Sequence, residues 1–144
     1  MMTSTNIRSP KYYLAGPMSG YADFNVPVFK EAKTILEQQG LSIQLPYDIE
    51  STIQEGWEWE DYLGEDIKLI GRCKGIIVLP EWQRSRGAKL EIAAGLMKSL
   101  KEPDFRFAEL VRGNYLNWLE SFEIANWWHD VWDEYSKVPY NKGE

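Results

Sequence analysis

The chain has 144 residues, with 22 Asp and Glu against 16 Lys and Arg and a formal net charge of −6, which suits one domain with a proper core. The acidic balance argues against a general binder of nucleic-acid polymers, whose affinity comes largely from neutralising phosphates. The negative mean hydropathy and the lack of a run of about 18 apolar residues argue against a membrane span. Cys73 is the only cysteine and His129 the only histidine, so an internal disulfide, a thiolate metal cluster and a His-rich metal site are excluded.

Residues 1–10 are polar and lack the apolar core of a signal peptide, so they read as a flexible lead-in to a cytoplasmic protein. Lys11–Ala15 is a short apolar run that enters a glycine-bounded loop, Gly16–Gly20, and predicts a strand. Asn25 is placed to cap a helix with Pro27 in its first turn. Phe29, Ala32 and Leu36 mark its buried face and Gly40 its end. Leu41–Leu45 alternates and stops at Pro46, a second strand, and a helix follows from about Trp57 to Gly71. Ile76–Leu79 is a third strand, ended by Pro80, and a helix runs from about Arg86 to Leu100.

This β-α-β-α-β-α order predicts an α/β domain over 11–101, a Rossmann-like, flavodoxin-type parallel sheet with helices on both faces. Ligands of such sheets bind beyond the carboxyl ends of the strands. Gly16–Gly20 and Pro80–Gly87 therefore share one rim. From residue 102 to 144 the chain is rich in aromatics, and Trp118, Phe122, Ala125, Trp128, Trp132 and Tyr135 keep helical spacing. They predict a helical extension that docks on the domain or on a second subunit, hence a homodimer. Its polar face is acidic, which opposes a membrane-surface helix. His129 lies in this segment and reads as structural.

Two carboxylates have unusual settings. Trp59, Tyr62, Leu63, Asp66, Ile67 and Ile70 share one helical face, so Asp66 interrupts an apolar stripe, where desolvation favours its neutral form. The plainer reading is an Asp that caps or pairs at the edge of that stripe. Glu91 is flanked on its own face by Gly87, Ala88, Ala94 and Gly95, which leave room beside it. Its place in the first turns of a helix favours the ionised form. The plainer reading is an ordinary helical Glu among small packing residues. One neutral and one charged carboxyl would suit cleavage at an anomeric carbon, where an anion attacks and an acid assists the leaving group.

Tyr13-Leu-Ala-Gly-Pro-Met-Ser-Gly20, Asp66 ahead of the strand at Ile76, and Ser85-Arg-Gly-Ala-Lys-Leu-Glu91 resemble the nucleoside 2-deoxyribosyltransferase superfamily. That superfamily includes the 2′-deoxynucleoside 5′-phosphate N-hydrolases and small phage and bacterial proteins of unassigned function. The resemblance implies that Glu91 is the nucleophile, that Asp66 handles the leaving base and that Tyr13 orients Glu91. It also implies that Gly16, Met18, Ser19, Ser85, Arg86 and Gly87 contact the substrate, with Ser85 and Gly87 near any 5′-phosphate. Pro17, Lys74 and Lys89 depart from the family pattern. The function implied is cleavage or transfer at the N-glycosidic bond of a (deoxy)nucleoside or its 5′-monophosphate, without metal or organic cofactor, in the cytoplasm, or the host's cytoplasm if phage-encoded. The alternative is a non-catalytic protein that senses or sequesters a nucleotide signal.

Overall fold

The computed structural model describes residues 11–50, 54–112 and 115–135, the last five as helix backbone. Apolar runs bounded by Pro or Gly form its first three strands: β1 (Tyr12–Ala15), β2 (Ile43–Gln44) and β3 (Gly75–Val78). β1 pairs in parallel with both β2 and β3, placing Tyr13 beside Ile76 and Ala15 beside Val78. β4 (Arg106–Val111) continues the sheet in parallel beside β3, and β5 (Tyr115–Leu119) closes it antiparallel to β4. The order β2-β1-β3-β4-β5 gives a mixed sheet with the expected Rossmann-like β-α-β core.

Helices cover both faces because successive strand residues point to opposite sides. Tyr12, Leu14, Ile77, Ala108 and Leu110 meet Phe29, Ala32 and Leu36 of α1 (Val26–Gln38). Tyr13, Ala15, Ile76, Val78 and Phe107 meet the other layer, α3 (Trp59–Ile70), α4 (Arg86–Lys101) and α5 (Ser121–Tyr135), through Ile70, Ala88, Ile92 and Ile124. A one-turn helix, α2 (Tyr47–Glu50), follows β2 at the strand ends.

Local chemistry sets the boundaries. α3 begins two residues later than the apolar pattern alone predicts. Glu58 caps it reciprocally with Asp61, whose carboxylate accepts from the Glu58 amide at 2.8 Å. Asn25 occupies the cap position of α1 but does not cap it. Its φ is 64°, and its side-chain amide donates instead to the Pro17 carbonyl at 2.9 Å.

The aromatic segment departs most from expectation. Residues 106–111 and 115–119 are strands, so Trp118 stands in β5 and not on a helix. There it meets the Tyr12 ring edge-on at 5.3 Å and carries the Arg106 guanidinium 3.8 Å above it. The helix starts only after Glu120, whose amide donates to Glu123 at 2.8 Å. Its inward residues are Ile124 and Trp128, whereas Phe122 is 65% exposed. The side chains of Trp132 and Tyr135, and the lead-in 1–10, lie outside the described residues.

Candidate functional site

The β1 and β3 strands end on one rim, and a cleft opens there between the loop after β1, α2, α3 and the start of α4. Gly16, Met18 and Ser19 come from the first loop, Pro46 and Asp48 from the end of β2, and Trp59, Tyr62, Leu63 and Asp66 from α3. Ser85, Gly87, Ala88 and Glu91 come from the turn before α4 and its first two turns. Tyr13 lies directly beneath, fully buried in β1, and its hydroxyl donates to Glu91 Oε2 at 2.8 Å. Asp66 also bonds the Glu91 carboxyl, and its Oδ1 accepts from the Tyr47 amide at 2.7 Å. Tyr13, Asp66 and Glu91 therefore form one connected group, and five of the six proposed contact residues line the same cleft.

The sixth, Arg86, does not line it. Its guanidinium lies over the Trp59 ring, 4.5 Å from the centroid. Ile67 also departs from the predicted stripe. It is 41% exposed, and the α3 face turns inward along Tyr62, Leu63, Asp66 and Ile70 instead. Ser85 caps α4 by accepting from the Ala88 amide at 3.0 Å. Lys89 is buried and donates from Nζ to the Gln83 carbonyl at 2.7 Å, which ties the turn before α4 to the helix. Lys74 lies over the Tyr12 ring, at the other end of the strands. His129 is exposed on α5 beside Asp130.

Burial raises both carboxyls, as expected for Asp66 but against the expected ionised form of Glu91. Burial first, and then the neighbouring Asp66, hold the Glu91 carboxyl well above the ordinary carboxylic range. The helix-end field is too weak to offset this, because the charge would sit in a desolvated site. Burial also raises Asp66, to about 6, but bonds from Glu91 and the Tyr47 amide offset part of the rise. The two carboxyls therefore titrate as a coupled pair that resists losing both protons. Tyr13 is pushed well above its ordinary value, by burial first and by Glu91 next, so it remains a neutral donor.

Asp48 and the aromatic wall were not singled out from the sequence. Tyr47 stacks on Trp57 at 5.5 Å, and Tyr62 meets Trp57 edge-on at 5.1 Å. Asp48 lines the cleft, and burial raises its carboxyl. The signal available was position: Pro46-Tyr47-Asp48 directly follows a strand, so it lies on the rim where ligands bind. Among the described residues, no three His, Cys, Asp or Glu side chains gather as a metal site.

A mainly parallel α/β sheet with a Tyr–Glu–Asp group at the carboxyl ends of its strands defines a small α/β protein built around a buried acidic cleft. The chain belongs to the family described as a domain of unknown function (DUF4406), which matches residues 10–102. No curated protein matches the chain. The family match spans β1 to the end of α4 and so includes every residue of the cleft.

Proposed function

We propose that this protein cleaves, or transfers at, the N-glycosidic bond of a (deoxy)nucleoside or nucleoside 5′-monophosphate, with Glu91 as nucleophile. The observation that carries this reading is the buried Tyr13–Glu91 hydrogen bond beside Asp66, at the floor of an open cleft. It holds one Glu91 oxygen and leaves the carboxyl facing the space a sugar would occupy. The resemblance to the deoxyribosyltransferase superfamily points to the same residues.

The chemistry follows from moving one proton. Placing it on Asp66 leaves Glu91 ionised and Asp66 a carboxylic acid, a small step between neighbouring carboxyls. Glu91 then attacks the anomeric carbon, the C–N bond breaks with its electron pair going to the base, and Asp66 protonates the departing base. Asp66, now ionised, takes a proton from water or from an acceptor base. That nucleophile displaces Glu91 from the sugar. The Tyr13 hydroxyl orients Glu91 throughout. Trp59 and Tyr62, which line the cleft, offer faces against which a planar base can stack.

The test is chromatography of free base after incubation with a panel of deoxynucleosides and monophosphates. Release by the wild type and none by Glu91→Gln is the expected result; release by Glu91→Gln near the wild-type rate would remove Glu91 from the mechanism. A non-catalytic nucleotide binder is the second reading, favoured by the burial that raises Glu91 and so disfavours its nucleophilic form. It predicts tight binding and no free base. A homodimer accompanies the first reading, since Met97, Leu100 and Phe122 leave exposed apolar side chains on α4 and α5. Sedimentation would then show twice the 16.8 kDa chain mass.

A further inference from the structure

We propose that Asp48 is a substrate-binding residue that accepts a hydrogen bond from a neutral O–H or N–H of the ligand, so that the cleft takes a nucleoside in preference to its 5′-monophosphate. This inference rests on the glycosidic reading and narrows it.

Asp48 Oδ1 is buried and, among the described residues, has no hydrogen-bond partner. The residue's own amide serves its carboxyl, while the amide before it, from Tyr47, is committed to Asp66. A buried acceptor without a donor is costly and persists where something else supplies the donor. Asp48 lines the cleft alongside Asp66 and Glu91, so a molecule that widens the cleft as it binds can supply it.

The charge around that oxygen selects the donor. Asp48, Asp66 and Glu91 line the cleft, and among the described residues no Lys or Arg does. The nearby cations are directed elsewhere: Arg86 over Trp59, Lys89 to the Gln83 carbonyl and Arg84 toward Glu81 at 3.9 Å. Neutral donors on the wall include the hydroxyls of Ser19 and Ser85, the Trp59 indole and the first turn of α4. A phosphate monoester would bring up to two negative charges among three carboxyls, against one short run of neutral donors. Asp48 acts on the whole group: its charge helps raise Tyr13, Asp66 and Glu91 alike. A ligand charge beside it would act on the same proton. A nucleoside adds no charge and carries both O–H and N–H donors.

The test compares the full-length wild type, Asp48→Asn and Asp48→Leu. Calorimetry gives the Kd for deoxynucleosides and their 5′-monophosphates, and chromatography follows base release. Deoxy analogues lacking the 5′- or 3′-hydroxyl, and N-methylated bases, identify the donor. We expect the wild type to bind nucleosides at least tenfold more tightly than monophosphates. Asp48→Leu should weaken nucleoside binding about ten- to hundredfold, as for a bond to a charged group. Asp48→Asn keeps the shape and removes the charge, so it should narrow the discrimination against phosphate, a change that a merely structural role would not produce. Equal or tighter monophosphate binding by the wild type overturns the proposal, as does an unchanged preference in Asp48→Asn. Nucleoside preference without base release overturns the glycosidic reading alone; monophosphate preference with base release overturns only the role of Asp48. Binding of neither ligand overturns both.

Discussion

The Tyr13 hydroxyl reaches across 78 residues of chain to donate to Glu91 at 2.8 Å, joining the sheet's central strand to the helix that covers it. Tyr13 is fully buried, and few variants could test this bond without disturbing the core. Tyr13→Phe removes only the oxygen. It should lower kcat for base release by ten- to hundredfold, because Glu91 loses its orienting donor. It should also lower stability by about 1 kcal/mol. Paired kinetics and thermal melts check both numbers. A wild-type rate would show that Tyr13 only packs.

Asp66 makes stability depend on pH. Its folded value is about 6, above its ordinary 3.8, so the unfolded chain ionises first as pH rises. Between about pH 4 and pH 6 the folded state therefore binds more protons, and stability falls as pH increases. The loss attributable to Asp66 is on the order of 2 kcal/mol, and Asp48 and Glu91, also raised, act in the same direction. Asp66→Asn should flatten this slope, with melting temperature against pH as the measurement. A slope that is the same in wild type and variant would place the titration elsewhere.

Two glycines bracket the sheet and should respond differently to alanine. A Cβ on Gly75 would lie 2.3 Å from the Arg106 carbonyl oxygen, a backbone atom that cannot yield without separating β3 from β4. A Cβ on Gly16 would lie 2.9 Å from Leu79 Cβ, a side-chain contact that a small loop shift relieves. Gly75→Ala should cost about 3 kcal/mol or more, and Gly16→Ala about 1–2 kcal/mol. Gly16 lines the cleft, so its variant should also raise KM. Denaturant unfolding alongside kinetics separates the two effects.

Trp128 anchors α5 by donating its indole N–H to the Lys89 carbonyl at 2.6 Å, while its ring packs on the core. Trp128→Phe keeps most of the ring and loses the donor. A cost of about 1 kcal/mol is expected, along with faster amide exchange in α5 than in α4. Uniform exchange across both helices would mean that α5 docks through other contacts.

The order of elements from β1 to α4 was legible because Pro and Gly punctuate it and because apolar spacing switches cleanly between strand and helix periods. Tyr13, Asp66 and Glu91 were legible as a group through their motifs. Their protonation was not, since burial depends on the tertiary contacts that enclose Glu91. The β4–β5 hairpin was missed for a physical reason. Trp118 happens to fall four residues before Phe122, so residues on two different elements imitate one helical face. Gly113-Asn114, between two apolar runs, was the available sign of a turn. Asp48 was passed over because its significance lies in a partner it lacks.

The sheet's two borders limit how this protein can meet another copy of itself. One border, β2, offers only two paired residues, and Pro46 stands two positions beyond them without an N–H to give. The other, β5, is five residues long and turns directly into α5. Borders this short make poor templates for adding a strand from a neighbouring chain, which protects against edge-to-edge aggregation. The exposed apolar side chains lie elsewhere, on the helical faces of α4 and α5.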